Sequence, residues 1–356
     1  VNNDDVIVSF TSVFYSARNL SIQGLYSPKT GFKANIMHIL NGVFLDTDSV
    51  HPDDLDLTQL QSILPSWRFF EKTSPQQVGE RIAAAQVVIS NKAAIMRQDL
   101  SLAKDLKLIC VAATGTNNVD LAAAAEQDIT VCNVRDYATG SVVQHVFTLI
   151  LNLSTQFLSY HEAVLAGRWQ SSEQFCLLDY PIRELSGKTL GIIGYGVLGH
   201  AVAHAAKAFG LNVIIADHKG VSPRPGRTAF DEVLKQADII TLHCPLTDAT
   251  RHLIGKDELV AMKPSTILIN AARGGIVDEQ ALLAALQQKQ IAGAGIDVLT
   301  EEPPVHGSVL LDNPLPNLIV TPHIAWASRE SRQRLIDEIV KNIEAYKQDR
   351  PRNVVQ

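Results

Sequence analysis

Short runs of β-branched and aliphatic residues alternate along this chain with longer stretches in which apolar residues recur every three or four positions. From Met37 the pattern gives a strand at His38–Leu45 that ends in Asp46, then strands near Arg68–Phe70, Val87–Ser90, Leu108–Ala112 and Ile129–Val134. Between them, Gln76–Ala85 and Val119–Gln127 carry helical spacing. Strands separated by helices predict parallel sheets, because a parallel neighbour needs a long crossover connection. The pattern restarts at Lys188, with strands at Thr189–Ile193, Val213–Ala216, Ile239–His243, Ile267–Asn270, Gly295–Val298 and Ile319–Thr321. Helical stretches there include Val197–Phe209 and Glu279–Gln287. The predicted fold class is α/β, two doubly wound parallel-sheet domains, the second with the six strands of a dinucleotide-binding domain.

A long apolar helix, Ser141–Leu158, links the halves. It carries more apolar surface than one helix face needs. A core helix bridging two domains and a helix that also meets a second subunit both fit that surplus. Residues 1–36 follow neither period and lack the basic start and unbroken apolar run of a secretory leader, so they are read as an extension outside the folded part.

The bulk properties narrow the function classes. The 356 residues suffice for two domains, and 46% hydrophobic with 19% charged residues is the balance of a packed protein. A formal net charge of −6 gives no electrostatic reason to expect nucleic acid or an anionic membrane surface. No apolar run spans a bilayer; Gln144, His145 and Asn152 break the best one. Cys110, Cys132, Cys176 and Cys244 form no C-x-x-C pair, so no metal site is signalled, and reduced thiols of a cytoplasmic protein are expected.

Gly194-Tyr195-Gly196-Val197-Leu198-Gly199 is a G-x-G-x-x-G run in the right context. It follows the apolar strand Leu190–Ile193, opens an amphipathic helix that stops at Gly210, and precedes a strand ending in Asp217. Gly194 suits the tight turn, Gly196 a close approach of backbone to pyrophosphate, and Gly199 close packing of helix on strand. Asp217 is placed to accept hydrogen bonds from adenosine ribose hydroxyls and to repel a 2′-phosphate. NAD is therefore favoured over NADP, with His218 and Lys219 next in sequence as partial counterweights.

Three later segments bring polar residues to the C-terminal ends of strands, where open α/β sheets bind ligands: Asn270–Gly275, Gly295–Pro303 and Thr321–Trp326. Arg273 can offer a planar fork of donors to a carboxylate. Glu302 and His323 on adjacent strand ends can form an imidazole–carboxylate pair that favours the imidazolium. Singly, each has an ordinary reading as surface charge, loop acid or buried histidine. Their joint appearance in one dinucleotide-binding domain favours catalysis.

With these motifs the chain resembles the D-isomer-specific 2-hydroxyacid dehydrogenase family from Met37 to the C-terminal region. The resemblance implies Arg273, Glu302 and His323 as catalytic residues, Glu302 rather than Glu301 because the family's acid directly precedes proline. It implies dinucleotide contacts at Cys244, Pro245, Ala271 and Asp297, the last facing the nicotinamide carboxamide. Substrate contacts are implied at Gly115, Thr116 and Arg273, and at Asn91. Ala271 departs from the Thr or Ser of many relatives, and the loop Val305–Asn313 looks long.

The implied layout is a flavodoxin-like substrate domain at 37–136, completed by 327–356, and a Rossmann NAD-binding domain at 137–326, in a homodimer. Ala112–Asp120, Cys132–His145 and Pro322–Arg329 resemble the glycerate dehydrogenase (hydroxypyruvate reductase) branch most. Phosphoglycerate and D-lactate types and an NAD-sensing corepressor with this fold are the alternatives.

Overall fold

The computed structural model describes residues 38–355; the expected extension at 1–36 lies outside them. Strands β1 (Asn41–Phe44), β2 (Ser66–Phe69), β3 (Val87–Ser90), β4 (Leu108–Val111) and β5 (Thr130–Cys132) form one parallel sheet in the order β2-β1-β3-β4-β5. Strands β6 (Thr189–Ile193), β7 (Asn212–Ile215), β8 (Ile239–Leu242), β9 (Ile267–Asn270), β10 (Gly293–Ile296) and β11 (Leu318–Val320) form a second, ordered β11-β10-β9-β8-β6-β7. Central strands such as β3 and β4 are buried at every position, because helices cover both faces. That is why they read as continuous apolar runs.

Several elements have other bounds than the sequence expectation, and three of these differences bear on the packing around the site. Strand β1 is shorter than His38–Leu45, with Leu40 exposed. Strand β10 begins at Gly293, two residues before the expected start. Its Gly-Ala-Gly opening has low strand propensity, but the linking helix lies against it. A Cβ on Gly295 would stand 3.0 Å from Leu149 Cβ and from Ile269 Cδ1, so a side chain there would press the helix and β9 aside. The helix expected at Ser141–Leu158 is two helices, Thr139–Thr155 and Phe157–Leu165, broken at Gln156, whose φ is +55°. The first buries Val142, Val146, Leu149, Ile150 and Leu153 against strands of the second sheet.

The last helix, Arg329–Lys347, returns to the first sheet. Leu335, Ile336, Ile339, Val340 and Ile343 share one core with Phe44, Val87, Ile89 and Cys110. Buried Asn342 ties it down by donating to the carbonyl of Asn133 at 2.9 Å. Among the described residues, no helix is long and apolar enough to cross a membrane.

Candidate active site

A cleft of about 620 Å³ opens where the carboxyl ends of the two sheets face each other. The first sheet contributes Asn91, Lys92, Gly115 and Tyr137; the second contributes Gly196, Val197, Leu198, Ala271, Arg273, Asp297, Glu302 and His323.

The glycine run lies between β6 and the helix Val197–Ala208. Gly194 has φ +91°, and a Cβ there would lie 2.5 Å from the Cys244 nitrogen. A Cβ on Gly199 would lie 2.2 Å from the Gly194 carbonyl oxygen, so helix and turn can touch only without side chains. Gly196 differs: a Cβ would meet nothing within 4 Å, and the residue lines the cleft. It leaves open the space through which a phosphate reaches the helix N-terminus, which has no side-chain cap. Nearby, His243 Nδ1 is buried without a hydrogen-bond partner among the described residues, and burial pulls the ring's pKa down to about 4, so the ring is neutral. An uncapped helix start, an open glycine and an orphaned polar ring nitrogen fit a bound dinucleotide. Tyr195, Gly199, Asp217, Cys244 and Pro245 do not line this cleft.

Asp217 departs from the expectation of a free, repelling carboxylate. It is 4% exposed, and Arg224 occupies both of its oxygens: Nη2 donates to Oδ1 at 2.7 Å, and Nε and the backbone N–H donate to Oδ2 at 2.9 and 2.8 Å. These bonds hold the carboxyl well below the usual carboxylate range. The charge meant to reject a 2′-phosphate is thus paired with a cation on the same loop.

Arg273 is positioned by its own turn. The buried Asn270 side chain accepts from the Ala272 N–H at 3.1 Å and donates to the Arg273 carbonyl at 2.9 Å. Arg273 Nη1 donates to the Ala272 carbonyl, and among the described residues the guanidinium has no ion-pair partner. The Cβ position of Gly115 lies 3.2 Å from Nη2, so the loop after β4 abuts this free cation from the opposite sheet. Thr116 does not line the cleft; its carbonyl accepts from the Val119 N–H within the loop.

His323 Nδ1 lies 2.6 Å from Glu302 Oε2, and Glu302 Oε1 accepts from the Leu299 N–H at 2.9 Å. Burial alone would raise the Glu302 pKa. The His323 bond and charge, with the Leu299 N–H and the Lys92 charge, outweigh it and hold the carboxyl below its ordinary value. An ionised carboxylate only accepts, so Nδ1 carries the hydrogen and Nε2 is left for a ligand. Glu301 turns away to His306.

Asp297 is the hub beneath His323. Thr321 Oγ1 and the Ile324 N–H donate to Oδ1 at 2.6 and 2.9 Å, and the Ala325 N–H donates to Oδ2 at 2.8 Å. Its carbonyl also accepts from the His323 N–H at 2.8 Å, holding a histidine whose φ is +55°. Its carboxylate therefore serves the histidine loop, a role the expected carboxamide contact leaves out.

Asn91 is 4% exposed, and its side-chain amide donates to the Ser49 carbonyl at 3.3 Å. The next residue, Lys92, is exposed and lines the cleft beside it. Sequence reasoning missed Lys92, Arg224 and Tyr137, whose phenol burial pushes up to about 12 and keeps neutral. Only Lys92 had a signal, its place directly after a strand end.

Comparison with known proteins agrees with this geometry. Residues 147–325 match the family model for the D-isomer specific 2-hydroxyacid dehydrogenase NAD binding domain. Over 316 residues the chain is 47% identical to a glycerate dehydrogenase of Methylorubrum extorquens, covering 88% of this chain and 98% of that one. It is 38% identical over 323 residues to a hydroxypyruvate reductase of Blautia hydrogenotrophica, with the same coverage. The structure of D-lactate dehydrogenase with NAD+ from Lactobacillus jensenii matches with a TM-score of 0.74 at 28% identity, covering 89% of this chain and 100% of that one. With this cleft, these relatives and these motifs, the chain belongs to the D-isomer-specific 2-hydroxyacid dehydrogenase family, NAD-dependent oxidoreductases acting on the CH–OH group of 2-hydroxyacids.

Proposed function

We propose that the protein interconverts hydroxypyruvate and D-glycerate. The observation that carries the reading is the Glu302–His323 pair in the same cleft as an unpaired Arg273. The resemblance to a glycerate dehydrogenase and a hydroxypyruvate reductase supports the choice of substrate.

Gly194–Gly199, the helix start after them and the Asp217 loop would hold NAD, which supplies or accepts the hydride at substrate C2. Arg273 binds the substrate carboxylate, joined by backbone N–H groups of the loop at Gly115. During reduction, Nε2–H of protonated His323 gives its proton to the oxygen on C2. Ionised Glu302 balances the imidazolium and keeps the ring oriented. During oxidation, neutral His323 accepts that proton.

In this reading residues 37–136 with 327–356 form the substrate domain and 137–326 the NAD domain. Asp297 contacts the carboxamide only through what the three donors to its carboxylate, and His145 Nε2 at 3.3 Å, leave free. Asn91 acts as a buried anchor and Thr116 as a loop former. A homodimer is supported by the exposed apolar side chains after Gln156: Leu165 at 74%, Phe175 at 94% and Leu178 at 78%. A cytoplasmic location is supported by the free thiols of Cys110 and Cys132, register partners on β4 and β5.

A panel of 2-keto acids with NADH and NADPH tests the reading. Hydroxypyruvate should give the highest kcat/KM and yield D-glycerate. Preference for a branched keto acid or for phosphohydroxypyruvate would overturn it.

A further inference from the structure

Lys92 is a cation in the cleft that the mechanism above does not use. Its backbone is fixed with unusual completeness. Asp46, buried at the end of β1, accepts from three successive N–H groups: Asn91 at 3.0 Å, Lys92 at 2.6 Å and Ala93 at 2.9 Å. With the Asn91 side chain also bonded to the Ser49 carbonyl, the loop after β3 is held so that Asn91 and Lys92 both line the cleft. Among the described residues the Lys92 ammonium has no hydrogen-bonded or ion-paired partner, although it feels the charges of Glu302, Arg273 and Asp46. Its side chain remains exposed to the cleft, and the partial burial of its ammonium holds its pKa below the ordinary lysine value.

A 2-keto acid has three ends. Its carboxylate is taken by Arg273 and the Gly115 loop, and its C2 oxygen by His323. The substituent on C3 is left, and Lys92 is a cationic donor on the substrate-side wall of the cleft whose ammonium has no partner among the described residues. Resting on the assignment of hydroxypyruvate, we propose that Lys92 is a specificity-determining residue whose ammonium donates to the hydroxyl oxygen on substrate C3. A methyl group at that place leaves the ammonium without a partner once substrate displaces water. A donor left unpaired in this way is what rejects an analogue lacking the hydroxyl.

The test is steady-state reduction of hydroxypyruvate, pyruvate, glyoxylate and phosphohydroxypyruvate with NADH by the full chain, its Lys92→Met variant and its Lys92→Arg variant. Lys92→Met should lower kcat/KM for hydroxypyruvate by about tenfold or more, while pyruvate and glyoxylate change by less than about threefold. Lys92→Arg, which keeps a donor, should recover part of the loss. An equal fall for all four acids would overturn the proposal by making Lys92 a second carboxylate ligand. A fall confined to phosphohydroxypyruvate would overturn it in favour of a phosphate contact. No change would overturn it while leaving the substrate assignment standing. A parent chain that reduces the other acids but not hydroxypyruvate would instead overturn the assignment on which the proposal rests.

Discussion

A Cβ on Gly274 would stand 1.8 Å from the carbonyl oxygen of Leu299, closer than any substitution can relieve without moving backbone. Gly274 follows Arg273 in its turn, and Leu299 begins the segment whose N–H holds Glu302. The residue proposed to bind the carboxylate and the residue proposed to support the proton donor are therefore aligned through one backbone contact.

Gly274→Ala should cost about 1–3 kcal/mol of stability through overpacking. It should also lower kcat/KM about a hundredfold or more, because both catalytic loops shift together. Thermal unfolding and steady-state kinetics read the two effects. Full activity in a stable Gly274→Ala protein would mean the loops are not coupled.

Asp297→Asn removes the charge that gathers Thr321, Ile324 and Ala325 under His323. The expected result is a large fall in kcat with NADH affinity, measured by fluorescence titration, changed by less than about threefold. The carboxamide contact implied by resemblance forecasts the opposite weighting, a loss dominated by NADH binding.

Arg224 decides how firmly the enzyme refuses a 2′-phosphate. Paired with Asp217, it offsets the repulsion and can itself meet a phosphate. Arg224→Gln should lower kcat/KM with NADPH several-fold more than with NADH, and Asp217→Ala should narrow the preference for NADH. Equal changes with both cofactors would remove Arg224 from this role.

His243 makes stability depend on pH. Its folded pKa, about 4, lies below the unfolded value near 6.5, so the unfolded chain binds more protons between them. This contribution is complete above about pH 6.5 and is lost as the pH falls toward 4, by at most about 3 kcal/mol. Denaturant unfolding of the cofactor-free protein from pH 7 to 5 should show the loss, reduced in His243→Gln. Identical slopes for both proteins would contradict it.

How much of this the sequence disclosed follows from how local each feature is. Gly194–Gly199 dictates its own turn and helix start, and Arg273 sits in a turn closed by Asn270 three residues earlier, so both were readable. Arg224 lies seven residues past Asp217 in a loop with no period, and nothing local marks it as the partner. Asp297 gathers donors 24 to 28 residues away, which only the β10–β11 pairing brings near. At the loop after β3 the sequence pointed to Asn91, which lines the cleft, but not to its neighbour Lys92, because the hydrogen bonds to Asp46 that hold this loop come from a residue 45 to 47 positions away.

The central claim is that Glu302 tunes His323 as the proton donor and acceptor. His323→Ala should slow both directions by roughly a hundred- to ten-thousandfold. The more direct measurement is a pair of pH–rate profiles, in each direction, for the parent and Glu302→Gln, with chemistry verified as rate-limiting by deuterated nicotinamide. Reduction needs the protonated ring and should fall as pH rises; oxidation needs the neutral ring and should fall as pH drops. Glu302 stays ionised across neutral pH because its carboxyl is held below the ordinary value. Removing that charge disfavours the imidazolium, so both limbs should move toward lower pH, by about one to three units. Reduction at neutral pH should then suffer more than oxidation. Limbs that stay where they are in Glu302→Gln would contradict the account.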